Sequence, residues 1–157
     1  LKEIPEFKGY NFATERSKYL NKIGIPLNTD STLKGQTVFL AERCSELMNE
    51  KIITDRTVID VMAFTMNAKS IAYQDKEIFE DYAKEFVREY DYIFYISPDG
   101  IPIEDNGVRE TDEYYRDVID FSIVSLIRKY AHMMNKIETI KGSTQDRINQ
   151  MLKVINS

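Results

Sequence analysis

Ile52-Ile53-Thr54-Asp55-Arg56 is the stretch on which the fold turns. Three β-branched residues in a row favour extended backbone, and an unbroken apolar run suits a strand buried on both faces, as in a parallel sheet. The run stops abruptly at two charges, so the strand would present Asp55 and Arg56 at its carboxyl end. Thr57 to Asn67 then reads as a short helix.

Working outward, Tyr10 to Thr14 reads as a short strand. A polar turn containing Asn28, Asp30 and Ser31 precedes a helix from about Thr32 to Asn49. Phe39, Leu40, Cys44, Leu47 and Met48 recur there at three- and four-residue steps, which predicts a buried stripe. Downstream, Asp75 to Tyr90 is a second clear helix, with Phe79, Ala83, Phe86 and Tyr90 on one side. Tyr92-Ile93-Phe94-Tyr95-Ile96 is the strongest strand, stopped by the turn Ser97-Pro98-Asp99-Gly100. After a polar loop with Pro102, Asn106 and Gly107, the longest helix runs from about Thr111 to Lys136, with Tyr115, Ile119, Ile123, Leu126 and Tyr130 inward. Ile137 to Ile140 reads as a last strand. Gly142 ends it, Ser143 is a plausible N-cap, and Ile148, Met151, Leu152 and Ile155 line a closing helix.

Strands therefore alternate with helices along all 157 residues, with no repeats and no Gly/Ser linker. That order predicts an α/β fold: βαβ units building a mostly parallel sheet with helices on both faces, in one domain. Ligands of such sheets sit outside the carboxyl ends of the strands. Three polar clusters fall there: Glu15-Arg16, Asp55-Arg56, and the loop after Ile96.

The totals narrow the function. The net charge is −5 and the basic residues are scattered, which argues against extended nucleic-acid binding. No stretch approaches the roughly 18 apolar residues of a membrane span, and no secretory signal is visible. A single cysteine cannot close an intramolecular disulfide, so the cytoplasm is the expected compartment. Cys44 itself falls on an apolar stripe and reads as core. His132 is the one histidine, and no partner motif suggests a catalytic triad.

Asp55 can accept a proton from an attacking hydroxyl or hold Mg²⁺ through water, and Arg56 can hold a phosphate. The plainer alternative is a strand-end ion pair that caps the next helix. Glu15 and Arg16 can bind an acceptor's hydroxyls and charged group, or they can form the solvated first turn of a helix. Arg109 and Arg116 flank the start of the long helix, where arginines on a lid can stabilise a moving phosphoryl group. Asp112, Arg116 and Asp120 also share one helix face, and an exposed pair there is worth about 0.3–0.5 kcal/mol.

Four segments resemble the nucleoside/nucleotide kinase-like P-loop ATPases, especially the ribosylnicotinamide-kinase-like ATPase group found also in phages. They are Phe12-Ala13-Thr14-Glu15-Arg16, Ile52 to Thr57, Tyr92 to Pro98, and Asp105 to Arg109 continuing through Thr111-Asp112 to Tyr115-Arg116. The resemblance implies a three-layer α/β/α fold with a lid over about residues 98–116. It implies ATP-dependent phosphoryl transfer, with Mg²⁺, to a nucleoside, nucleotide or related ribosyl small molecule. Asp55 would be the base or magnesium-side carboxylate, Arg56 a phosphate ligand, Glu15 and Arg16 acceptor ligands, and Arg109 and Arg116 the closing arginines. Gly142 and Arg147 would meet the adenine.

One part is missing. The glycines at 9, 24, 35, 100, 107 and 142 supply no G-x-x-x-x-G-K-[ST], whose backbone amides and lysine hold nucleotide phosphates. In the family that loop follows the first strand. The segment Leu1 to Phe7 resembles the tail of the helix after it, so the loop and the central strand are expected upstream of Leu1. A non-catalytic binding protein on a degenerate kinase scaffold and an ATPase switch are the alternatives.

Overall fold

The computed structural model describes residues 1–14, 16–26, 30–99 and 113–157. It is a mixed α/β chain. In order come β1 (Asn11–Ala13), α1 (Ser17–Lys22), α2 (Leu33–Glu46), β2 (Ile52–Thr54), α3 (Val58–Met66), α4 (Tyr73–Ala83), β3 (Ile93–Ile96), α5 (Glu113–Tyr130), β4 (Ile137–Ile140) and α6 (Thr144–Ile155), with short 3-10 turns between some of them.

The core is built around α3. That helix is apolar on nearly every face, with Val58, Ile59, Val61, Met62 and Ala63 all buried. It can be so because α2, α4 and α5 pack around it. Leu40, Phe79, Ala83, Leu126 and Tyr130 close the cluster from those three helices. Burying a side chain the size of Ile59 or Met62 contributes about 1.5–3 kcal/mol, so this cluster carries much of the stability.

Three of the expected helices end early. The 75–90 segment is α-helical only to Ala83 and then tightens into a 3-10 stretch, Lys84–Glu89. In a 3-10 turn residues three apart eclipse, which turns both Val87 and Tyr90 toward the core. The long helix stops at Tyr130 rather than near Lys136. The Asn135 amide donates to the carbonyls of Arg88 and Tyr90, and Ile93 N–H donates to Lys136 O, so the chain is tied down before β4 starts. Met48, expected on a buried stripe, is 86% exposed because α2 has already ended at Glu46.

Both strand pairs are parallel. Asn11, Phe12 and Ala13 align with Ile52, Ile53 and Thr54, and Ile93 to Ile96 align with Ile137 to Ile140. Among the described residues these are two separate two-stranded sheets rather than one continuous sheet. Ile52 and Ile53, expected to be buried on both faces, are accordingly half-buried, since β2 has a strand on one side only. Ile93 and Ile140 do enter the interior, while Ile96 stays 40% exposed. The apolar stripe of α6 is half-buried along its length, and no residue of that helix is buried.

Candidate functional site

The carboxyl end of β2 is a turn fixed by several hydrogen bonds. Asp55 N–H donates to Ala13 O at 2.9 Å, continuing the parallel ladder one residue past the strand. Asp55 O accepts from Arg43 Nη1 of α2 at 2.8 Å. Arg56 follows with a φ of 87°, and among the described residues it is the one non-glycine in the left-handed region. For a side chain with a Cβ that conformation costs about 1–2 kcal/mol.

The next residues fix it from the other side. Thr57 is the N-cap of α3, with its hydroxyl accepting from Ile59 N–H while the Asp60 carboxylate accepts from Thr57 N–H at 2.8 Å. Val58 N–H, a donor with no intrahelical acceptor, is satisfied by the Tyr90 hydroxyl at 3.2 Å. Burial pushes the Tyr90 phenol up, so it stays neutral in this role.

On this frame the Asp55 side chain is exposed and has no hydrogen-bond or ion-pair partner among the described residues. Arg56 folds back along α3, 3.5 Å from Asp60 and over the Phe64 ring. That distance marks a loose pair.

Arg16 is the N-cap residue of α1, three residues past the end of β1. One of its guanidinium nitrogens lies 3.1 and 3.0 Å from the two carboxylate oxygens of Glu42 on α2. One residue further along α2, Arg43 is 3% exposed and pairs with Glu46 at 2.9 Å. Burial raises the Glu46 carboxyl above its ordinary range. Arg43 opposes this, Glu42 adds to it, and smaller influences come from Arg16 and Asp55. Arg16 and Asp55 thus act on the same buried group, and each is bonded to a residue of α2.

The other residues singled out from the sequence lie on other elements. Arg116 is on α5, 3.8 Å from Asp117. Arg147 is on α6, where it bonds back to its own first turn, Ser143 O and Thr144 Oγ1. Glu15 and Arg109 lie outside the described residues, as does most of the expected lid.

A second feature lies at the ends of β3 and β4, an open cleft lined by Ser97, Asp99, Lys141, Gly142 and Asp146 among others. Arg147 is not among its lining residues, although Asp146 beside it is. Two carboxylates against one amine make a poor phosphate site and a better one for hydroxyls or a heterocycle edge.

Sequence reasoning missed Glu42, Arg43, Glu46 and Tyr90. Arg43 left a signal. It falls between Leu40 and Leu47 at helical spacing, so a charge had to lie on the inward stripe.

Among the described residues no helix is long and apolar enough to cross a membrane. No protein-family model matches the chain, and no curated protein or solved structure matches it either.

Proposed function

We propose that this chain is the acceptor-side body of an ATP-dependent phosphotransferase with P-loop kinase-like α/β/α layering, acting on a nucleoside, a nucleotide or a related ribosyl compound. The observation that carries the reading is the Asp55 carboxylate. It is exposed and unpartnered among the described residues, yet it stands on a backbone whose N–H and C=O are both fixed. A solvated surface aspartate needs no such frame, whereas a group that must meet a reacting hydroxyl does.

In this reading Asp55 accepts the proton of the attacking hydroxyl. Arg56 exchanges its loose contact with Asp60 for a phosphate oxygen, a bidentate contact that a guanidinium makes well. Arg16, with Glu15, holds the acceptor, and Arg109 and Arg116 close over the transferring group. The cleft after β3 and β4, with Arg147 nearby, takes the adenine side of ATP.

Among the described residues no cluster of three or more His, Cys, Asp or Glu could hold a metal. Among the described residues of this strand end, Asp55 is the carboxylate offered to Mg²⁺, which fits an ion that keeps its waters and arrives on nucleotide phosphates. Bound there, Mg²⁺ would neutralise charge on the phosphate oxygens.

The reading requires a phosphate-cradling loop that these 157 residues do not contain. A binding protein on a kinase-like scaffold is the second reading, and it uses the same fixed strand end without turnover. Intact mass of the protein from its native source separates them when measured together with Mg·ATP binding. A strand, loop and partial helix add about 20 residues, or roughly 2 kDa, to the 18.4 kDa of this chain. With that excess present, Asp55→Asn should lower turnover about 10²- to 10⁴-fold without loss of fold. A mass of 18.4 kDa with no Mg·ATP binding, or an Asp55→Asn protein of undiminished turnover, removes the kinase reading.

A further inference from the structure

We propose that Arg43 is the positioning residue of the Asp55 turn, holding the peptide between Asp55 and Arg56 so that the carboxylate leaves the strand end in one direction. Arg43 does not reach solvent, so it binds no acceptor itself. Its two terminal nitrogens are divided between two tasks. Nη1 donates to Asp55 O at 2.8 Å, and Nη2 lies 2.9 Å from Glu46 Oε1.

The Glu46 pair is a poor explanation for stability. Both partners are almost fully buried, and the other Glu46 oxygen, Oε2, is buried with no hydrogen-bond partner. A buried ion pair of that kind gains less than well-packed apolar side chains of the same volume. What Glu46 does supply is orientation. It stops the long guanidinium from rotating away from the Asp55 carbonyl.

That carbonyl is the point of greatest leverage. Asp55 N–H is already bound to Ala13, so pinning Asp55 O fixes the plane of the following peptide. The plane in turn holds Arg56 at its positive φ, where an unassisted arginine would relax to the ordinary right-handed or extended regions. A lysine at position 43 has one nitrogen and cannot serve carbonyl and carboxylate in the same planar fork.

The test uses two variants of the full-length protein from its native source. Arg43→Lys keeps the charge and loses the fork. Arg43→Met/Glu46→Leu removes both partners and strands no buried charge, so it stays folded if the single variant does not. The first readout is by NMR: the intraresidue amide–α-proton NOE of Arg56, which marks a left-handed residue, and hydrogen exchange at Thr57. In both variants that cross-peak should weaken to the intensity of a residue with negative φ, and Thr57 should exchange roughly tenfold faster, the loss expected for one charge-assisted hydrogen bond. Amides in the middle of α3 should keep their wild-type rates. A folded variant that retains the wild-type intensity overturns the proposal.

The second readout rests on the phosphotransferase reading. Misplacing a reacting group by about 1 Å lowers kcat roughly 10²-fold, so kcat should fall by that much while KM for Mg·ATP and acceptor stays unchanged. A kcat that falls only in step with the folded fraction makes Arg43 structural and overturns the proposal. A wild-type protein that transfers no phosphate sinks the kinase reading alone, and the NMR outcome still decides the role of Arg43.

Discussion

The turn after β2 and the turn after β4 are built to one plan from different residues. Each runs from a strand through one residue, then a left-handed residue, then a hydroxyl N-cap, and each helix carries an aspartate at its third position. After β2 the series is Asp55, Arg56 at φ 87°, Thr57 and Asp60. After β4 it is Lys141, Gly142 at φ 98°, Ser143 and Asp146. Both are full capping boxes. The difference is the left-handed residue. Glycine takes that conformation freely, whereas arginine is strained in it. A chain that uses glycine at one turn and arginine at its twin retains a side chain at a place where geometry alone would remove it. Strain of this sort concentrates at working sites, and it is the β2 turn, not the β4 turn, that has a buried arginine behind it.

The largest effect should come from giving the β4 turn what the β2 turn tolerates. In Gly142→Ala the new Cβ would stand 2.9 Å from Asp146 Oδ2, the capping carboxylate that accepts from Ser143 N–H and Oγ–H. The contact cannot be relieved without breaking the cap. Strain and cap loss together should cost about 2 kcal/mol in urea unfolding. A neutral Gly142→Ala would mean that the twin turns are equally permissive, and the comparison would fail.

The reverse exchange should be smaller and opposite in sign. Arg56→Gly removes about 1–2 kcal/mol of left-handed strain. It gives back part of this as unfolded-chain entropy and as the Asp60 ion pair. The net should be stabilisation by about 0.5 kcal/mol, with phosphoryl transfer lost if Arg56 holds phosphate. Stabilisation with turnover intact would make the arginine incidental.

The two turns were not equally legible in the sequence. Ser143 could be read as an N-cap because Gly142 punctuates the strand before it. The Asp55-Arg56 strand end was legible as well, because the β-branched run stops there so sharply. The strain at Arg56 was not, since nothing local to an arginine announces a positive φ. Nor was the Arg43 clamp, which joins residues 12 positions apart across two elements. Among the described residues, the four strands and five of the six helices follow from hydrophobic period and caps, and the short α1 does not. How the strands associate depends on pairing, and one sequence does not specify that. The grouping of Arg16 with Asp55 follows from the β1–β2 register, whereas Arg116 and Arg147 ride on helices whose placement no local pattern fixes.

The smallest prediction separates the twins by charge rather than by backbone. Asp146 is solvent-exposed, and the hydrogen bonds from Ser143 hold its carboxyl below the ordinary 3.8. A carboxyl lowered on folding contributes stability above its unfolded value and loses it as pH falls through the folded one. Glu46, behind the β2 turn, is displaced the other way, because burial outweighs the attraction of Arg43 and raises it above the ordinary 4.5. A carboxyl raised on folding is most favourable below its unfolded value, and that contribution disappears as pH rises through the folded one. Urea unfolding of wild type, Glu46→Gln and Asp146→Asn across the acid range should therefore show opposite slopes. The stability of wild type relative to Glu46→Gln should fall as pH climbs past 4.5. Relative to Asp146→Asn it should fall as pH drops below 3.8. A slope for Glu46 of the same sign as that for Asp146 would mean that Glu46 is ionised more easily in the folded chain than in the unfolded one. Arg43 would then be fully repaying the burial of the pair, and the pair would be explained by stability instead of by the turn it orients.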